Sequence, residues 1–451
     1  MLSTPQLADQ FKGPVLGPDD PDYDEARRVF MGSIDRQPAL IVRVADADDV
    51  ARSIALARDS GVELAVRSGG HSGAGHGVSE GGIVVDLADM RALEIDVDGR
   101  TAWAEAGLTA GEYTAAAGEH GLATGFGDTG SVGIGGITLG GGVGFLVRKH
   151  GLTVDGLLAA EVVTADGELL RVDDETHSDL FWALKGGGGN FGVTTRFRYR
   201  LHEVGTIVGG PLFLPATPDV ITGFVAAAEA APDELSTIAN VMPAPPMPFL
   251  APEYHGKPVV MGLMAFCGPV EQAESVLAPF RELAAPIADL VRPIAYPEIY
   301  PPEDPDYRPV AVSRTGFADG LDRQTAETIL DRIQASTAMM AATQIRVLGG
   351  ALTRVPADAT AFGHRDRRIM VNVAALCPSP DQLPEHEPWV TGLLAEITRG
   401  DIGAYVGFLA DEGEERVRAA YSAAAWDRLR EVKAKYDPDN VFRLNQNIPP
   451  R

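Results

Sequence analysis

His71 stands in the densest early run of small residues, Val66-Arg67-Ser68-Gly69-Gly70-His71-Ser72-Gly73-Ala74-Gly75-His76-Gly77. Glycine carries no Cβ, so several backbone N–H groups in such a run can point at one ligand, an arrangement that suits a pyrophosphate. The run has no Lys and no G-K-[ST], and no helical pattern follows it, so neither the Walker loop nor the dinucleotide fingerprint applies. Taken alone, it is either a tight turn or a different phosphate cradle, and His71 is either a structural imidazole or a reactive one. His71 and His76 have no further Cys, Asp or His at ligand spacing, so no metal site is expected. H-E-x-x-H, G-x-S-x-G and a locally supported Cys–His pair are missing, which leaves hydrolase readings little support.

Two more runs follow. Gly125–Gly144 holds ten glycines in twenty residues, and Gly186–Gly192 adds five in seven. The last contains a literal G-x-G-x-x-G at Gly187, Gly189 and Gly192, but Val193–Arg200 reads as a strand where a helix should open. Three glycine runs in one module, each beside a strand, are best explained by one long ligand threaded between them.

The elements that must position these runs alternate. Ile41–Val44 reads as a strand and Asp46–Ser60 as a helix, with Val50, Ile54 and Ala57 at helical spacing and Gly61 as its stop. Glu63–Arg67, Gly82–Leu87 and Ala102–Ala106 read as strands, and Thr109–Glu112 is a capping box opening a helix. Leu158–Thr164, Leu169–Val172 and Val193–Arg200 complete a first α+β module, residues 1–205. From about 206 glycine thins and amphipathic stretches appear at Asp219–Ala231, Val270–Leu283 and Arg323–Ala335. Strands expected at Val259–Phe266, Gln344–Thr353 and Arg368–Leu376 suggest a mostly antiparallel sheet covered on one face by helices. The proline-rich segments Pro243–Pro258 and Pro297–Pro309 are surface connections, or pocket walls carrying Tyr254, Tyr296 or Tyr300.

The 451 residues suggest two or three domains at roughly 100–200 each, and two are expected. With 38 Lys and Arg against 63 Asp and Glu, the net charge of −25 argues against nucleic acid and anionic membranes as partners. Cys267 and Cys377 form no CxxC pattern, the first residues lack a basic-flanked apolar core, and no run approaches a membrane span, so a cytoplasmic location is expected.

Read together, the motifs resemble the FAD-linked oxidases of the berberine-bridge-enzyme-like group, within the vanillyl-alcohol-oxidase and p-cresol-methylhydroxylase (PCMH-type) superfamily. Arg67-Ser-Gly-Gly-His71 is similar to its flavin-attachment motif. The Gly133–Gly144 run into Arg148-Lys-His-Gly-Leu152, Ala160–Gly167, Asp179–Gly192 and the ending Tyr436–Pro450 follow in the family's order, covering nearly the whole chain. The resemblance implies a PCMH-type FAD module, a central substrate domain at 206–400 and a C-terminal return to the FAD module at 401–451. It implies FAD bonded covalently through His71 alone, because Thr129 stands where relatives carry a second, cysteinyl link and a hydroxyl is no thiolate.

Cofactor contacts are then expected from Arg67, Ser68, Gly69, Gly70, His71, Ser72 and Gly73. A second group is Thr129, Ser131, Val132, Gly135, Gly136, Gly141 and Gly142, and a third is Val193, Asn445 and Asn447. Val132 falls where a small side chain leaves room for O2, favouring an oxidase. Tyr405 matches the family's Y-x-N tyrosine with Gly407 in place of the Asn, and Asn372 lies on the strand where relatives place a carboxylate or amide; both are expected catalytic contacts. Arg354, His364 and Arg365 are expected to form structural pairs. The implied activity is hydride removal from an alcohol, amine or phenolic carbon of a small molecule, with O2 reduced to hydrogen peroxide, in natural-product tailoring or carbohydrate oxidation. A same-fold dehydrogenase with another electron acceptor, or a flavin-binding protein without turnover, is the competing reading.

Overall fold

Short β-branched runs build the first module of the computed structural model, which describes residues 7–451. Leu40–Arg43, Ile83–Asp86 and Leu64–Arg67 pair in parallel, and Val15–Leu16 lies antiparallel on one edge. The IVVD run is buried at every position, as a strand covered on both faces requires. Helix Ala47–Ser60 is capped by the Asp46 carboxylate, which accepts from Asp49 N–H at 3.1 Å, and stops at Gly61 in the left-handed region. A second, antiparallel sheet runs in the order Leu93–Asp96, Thr101–Glu105, Val193–Arg200, Leu157–Val163, Leu169–Val172. The two sheets share one core, into which Val42, Val85, Ala104, Val162 and Phe197 all project. Both bonds of the Thr109–Glu112 capping box are made.

From Thr206 the chain forms an eight-stranded sheet with antiparallel pairing throughout. Its main path is Ala288–Asp289, Thr206–Pro215, Pro258–Phe266, Leu235–Pro243, Met340–Val347, Ile369–Leu376, Ala311–Ala318. Arg292–Ala295 adds an eighth strand beside Thr206–Pro215. Val241, Val260, Ile345 and Val371 pack under helices Pro218–Ala230, Arg323–Gln334 and Leu383–Thr398. Because successive side chains in a strand alternate faces, Asn240, Gln344 and Asn372 form a polar row on the opposite face.

Several elements depart from the sequence expectation. The strand expected to run to Thr353 ends at Val347, because Gly349 (φ 115°) and Gly350 (φ 59°) leave extended geometry and Ala351–Arg354 coils into a helical turn. Leu235–Pro243 was not expected as a strand: eight of its nine residues are buried, so it lacks the alternation that marks a half-exposed strand. The second glycine run contains a short helix, Ile134–Leu139, where propensity favours loop.

Residues 404–448 return to the first module and join its core through Leu409, Trp426, Leu429, Phe442 and Ile448. The joint is polar inside. Lys433 and Asp437, both wholly buried, pair at 2.6 Å, and Lys433 Nζ also donates to the Asn190 carbonyl at 2.7 Å. Asp437 accepts from Val441 and Phe442 N–H, while Asn190 donates to the Gly187 and Gln446 carbonyls. Removing one member of such a pair strands the other charge in the interior. Lys433→Met is therefore expected to lose about 3–5 kcal/mol of stability, read as a lower midpoint in urea unfolding.

Candidate active site

The three glycine runs converge. A cavity with about 1570 Å³ of atom-free space, adjoining open solvent included, is walled by Ser68–Ser72, Gly127–Thr129, Val132, Gly133, Gly135–Ile137, Leu139, Gly140 and Gly188–Asn190, and closed by Tyr405–Leu409 with Asn445 and Gln446 from the return. Two backbones nearly touch where the first and second runs meet. A Cβ on Gly69 would lie 2.2 Å from Gly133 N, and one on Gly133 would lie 2.2 Å from Gly69 N and from Ser68 Oγ. Ser68 Oγ braces this contact by donating to the Ala106 carbonyl at 2.6 Å and accepting from Gly135 N–H at 3.3 Å. The second run is also pinned to the capped helix, since Ala110 N–H reaches the Val132 carbonyl at 2.8 Å and Ile134 N–H the Leu108 carbonyl at 3.0 Å.

His71 lies on this wall with its ring stacked on Phe30, centroids 4.1 Å apart. Ser131 Oγ is 3.2 Å from His71 Nε2, and Glu303 accepts from Ser131 Oγ, from Ser131 N–H at 3.2 Å and from Gly130 N–H at 2.7 Å. Burial pulls the His71 pKa down to about 4, only partly opposed by the Glu303 carboxylate, so the imidazole is neutral near pH 7. The wall carries no uncompensated cation among the described residues: Arg67 is forked onto buried Asp86 through Nη2 (2.6 Å) and Nε (3.3 Å), and burial holds His76 at about 4.

At Tyr405 the cavity meets the sheet. Its hydroxyl accepts from Gly142 N–H at 3.0 Å, and no protein acceptor takes its own proton among the described residues. Burial pushes the phenol pKa up, while the Gly142 N–H and the nearby Arg346 charge act against that rise. A Cβ on Gly407 would lie 2.8 Å from the Tyr405 hydroxyl, so the absent Asn is replaced by room for the tyrosine itself. Beside it, Arg346 donates to Asp128 at 2.5 Å and to Gln344 Oε1 at 2.8 Å, and its guanidinium lies 5.2 Å from the Phe408 ring centroid. Gln344 in turn donates to Asn240 at 3.1 Å.

Of the expected contacts, Arg67, Ser68, Gly69, Gly70, His71 and Ser72 lie on the wall, as do Thr129, Val132, Gly135, Gly136, Asn445 and Tyr405. Arg67 is there as half of an ion pair rather than as a free charge. Others stand off the wall. Gly73 faces Ala410, Gly141 packs on Phe362, Gly142 serves Tyr405, and Ser131 reaches the site only through His71. Val193 is buried in the core, with Gly192 and Thr194 at the wall in its place. Asn447 and Asn372 are also off the wall, each with a buried Oδ1 lacking a protein partner; Asn372 lies beside Gln344 in the sheet row. The structural pairs form as Arg354–Asp233 (2.6 Å) and Arg365–Asp155 (2.7 Å), with His364 against Phe317. Of the three loop tyrosines, Tyr300 donates to the Gly127 carbonyl at 3.2 Å, Tyr296 is buried between the modules, and Tyr254 faces Lys257 elsewhere. Glu303, Asp128, Arg346 and Gln344 had not been anticipated.

A cavity with glycine walls, an imidazole beside it and an orphaned Thr194 Oγ1 buried at its side fits an FAD. Such a fold and site define an FAD-linked oxidoreductase. A family model described as "FAD binding domain" matches residues 38–173, and one described as "Berberine and berberine like" matches 404–449. An uncharacterised FAD-linked oxidoreductase of Bacillus subtilis is 30% identical over 97% of both chains. (R)-6-hydroxynicotine oxidase of Paenarthrobacter nicotinovorans is 31% identical over 100% of this chain and 98% of its own. The crystal structure of 6-hydroxy-D-nicotine oxidase from Arthrobacter nicotinovorans superposes with a TM-score of 0.85, at 28% identity and 98% coverage of each chain. The chain belongs to the berberine-bridge-enzyme-like family of FAD-linked oxidoreductases, and FAD is its cofactor.

The Gly69–Gly133 contact leaves no room for a side chain on either partner. Gly133→Ala is expected to push the two loops apart, leaving purified protein without its visible flavin absorbance and with a lower Tm than wild type.

Proposed function

We propose that this protein is a covalent flavoprotein oxidase of small molecules, acting on a carbon that bears a hydroxyl or amine, or on a phenolic carbon, with hydrogen peroxide as the second product. One observation carries the reading: a single cavity joins the three glycine runs, and its wall bears both His71 and Tyr405. FAD, when bound, accepts the hydride from substrate and passes the electrons to O2. Backbone N–H groups of the glycine runs would hold its pyrophosphate, since Arg67 is already neutralised by Asp86. His71 would carry the covalent link. Ser131 engages Nε2, which leaves Nδ1 as the nitrogen for the bond. Thr129 offers no thiolate for a second one.

Tyr405 sits where substrate would enter between the cavity and the sheet. Burial keeps its phenol protonated near neutral pH, so it donates a hydrogen bond to the substrate's oxygen or nitrogen and sets the reacting C–H in place. Phe408 and the Arg346–Asp128 pair bound that position. Val132, of modest size, would leave O2 its approach. We place the protein in the cytoplasm as part of this proposal, since both cysteines are free and buried, and no helix among the described residues is long and apolar enough to cross a membrane.

Two measurements test the reading. After acid precipitation, the flavin should stay in the wild-type pellet and move to the supernatant in His71→Ala; flavin in both supernatants would end the covalent assignment. With any substrate that yields peroxide, Tyr405→Phe should lower kcat/KM by about 10²-fold while the flavin spectrum stays unchanged. Unchanged turnover would remove Tyr405 from the reaction.

A further inference from the structure

We propose that Ser131 and Glu303 carry away the proton released when His71 is bonded to the flavin, so that the proline-rich loop of the substrate domain drives cofactor attachment in the other module. The inference rests on the reading of His71 as the covalent site. Its geometric basis is a continuous chain: His71 Nε2 to Ser131 Oγ at 3.2 Å, and Ser131 Oγ donating to Glu303 Oε2. Glu303 belongs to the segment between Tyr300 and Ala311, and its other carboxylate oxygen accepts from Gly130 and Ser131 N–H. The same segment brings Tyr307 to within 6.4 Å of Phe30, whose other neighbour is the stacked His71 ring. It is tied down again where Gly32 N–H donates to the Pro309 carbonyl at 2.9 Å.

The chemistry explains why a relay is needed. A bond forms between His71 Nδ1 and the methyl carbon on the flavin's dimethylbenzene ring. That carbon gives up one proton and the imidazole gives up another. The two electrons left on the flavin pass to O2, so one hydrogen peroxide appears for each bond made. Attack by the Nδ1 lone pair would leave the imidazole cationic unless its Nε2 proton departs. A buried cation is costly here, as the depressed pKa of this histidine indicates. Ser131 Oγ is placed to receive that proton while passing its own to Glu303, whose exposed carboxylate can release it to water. Glu303 acts through Ser131 and is a positioning residue with respect to the flavin. The charged groups that act on His71 are Glu303 and Arg308, both from this loop.

Full-length protein made in a riboflavin-limited host and then supplied with FAD reports the rate of attachment, as flavin retained in the acid pellet over time and as added mass on the intact chain. Ser131→Ala cuts the relay but leaves the Glu303 contacts to Gly130 and Ser131 N–H; Glu303→Gln removes the terminal acceptor. Both variants are expected to bind FAD and to bond it about 10²-fold more slowly than wild type near neutral pH. Their rates should climb with pH as hydroxide replaces the relay, while the wild-type rate stays flat. Equal rates in all three proteins overturn the relay. Slow attachment in Ser131→Ala with a normal rate in Glu303→Gln overturns the part given to Glu303. Loss of FAD binding itself in either variant also overturns it, by making the pair a loop brace. A wild-type protein that releases its flavin into acid is a separate failure, of the covalent reading, and shows before any variant is compared.

Discussion

The close approach of two backbones at Gly69 and Gly133 is the constraint on which the site is built. Strand Leu64–Arg67 delivers the first glycine run from the parallel sheet, and the capped helix at Thr109 delivers the second from the antiparallel one. Only if neither chain carries a Cβ can they meet at this distance, and that meeting places Ser131 beside His71. Dense glycine is entropically expensive in the unfolded-to-folded transition, because these residues lose the most backbone freedom. The module offsets it with a large shared core and with side-chain braces, of which Ser68 is the most direct.

A second constraint is that the eight-stranded sheet and the FAD module must hold their relative position to within a hydrogen bond. Buried charge does much of this. Arg148 in the first module donates to the carbonyls of Leu348 (2.7 Å) and Ala231 (2.8 Å) in the second, and Arg365 reaches Asp155 in the opposite direction. Arg346 crosses from the sheet to Asp128 in the glycine run. Buried pairs of this kind contribute little net stability beside apolar packing, yet each tolerates only one arrangement, since a shift strands a charge. They make register rather than strength, which an oxidoreductase site requires, because a displacement of about 1 Å costs rate steeply.

The Arg346–Asp128 pair marks where sequence reasoning stopped. The glycine runs, His71 and the capping box were legible because each is local: residue type, spacing and the flanking strand all lie within a dozen positions. The covered antiparallel sheet was legible from its amphipathic helices, although Leu235–Pro243, buried almost throughout, carried no alternation to reveal it. Glu303, Asp128, Arg346 and Gln344 carry no such local signal. Glu303 is 172 residues from Ser131 and sits in a loop whose composition suggested a surface connection. Arg346 and Asp128 are 218 residues apart, and neither is unusual until the sheet register aligns Gln344 with Asn240. Gly141, Gly142 and Asn447 were placed by motif, but motif cannot distinguish a residue that lines a wall from one that supports it.

What emerges is a cavity that is electrically quiet inside a strongly acidic protein. Arg67 is answered by Asp86, Asp128 by Arg346, and the two histidines on the wall are neutral by burial. A pyrophosphate bound there would be held by backbone N–H groups of the glycine runs, whose dipoles need no counter-charge. Gly407 extends the logic to the end of the cavity that meets the sheet. Where the family pattern has an asparagine to hold the tyrosine, the missing side chain lets Tyr405 turn its hydroxyl to the Gly142 N–H instead. A backbone donor takes over the role of a side chain, and no protein acceptor among the described residues takes the phenol's own proton.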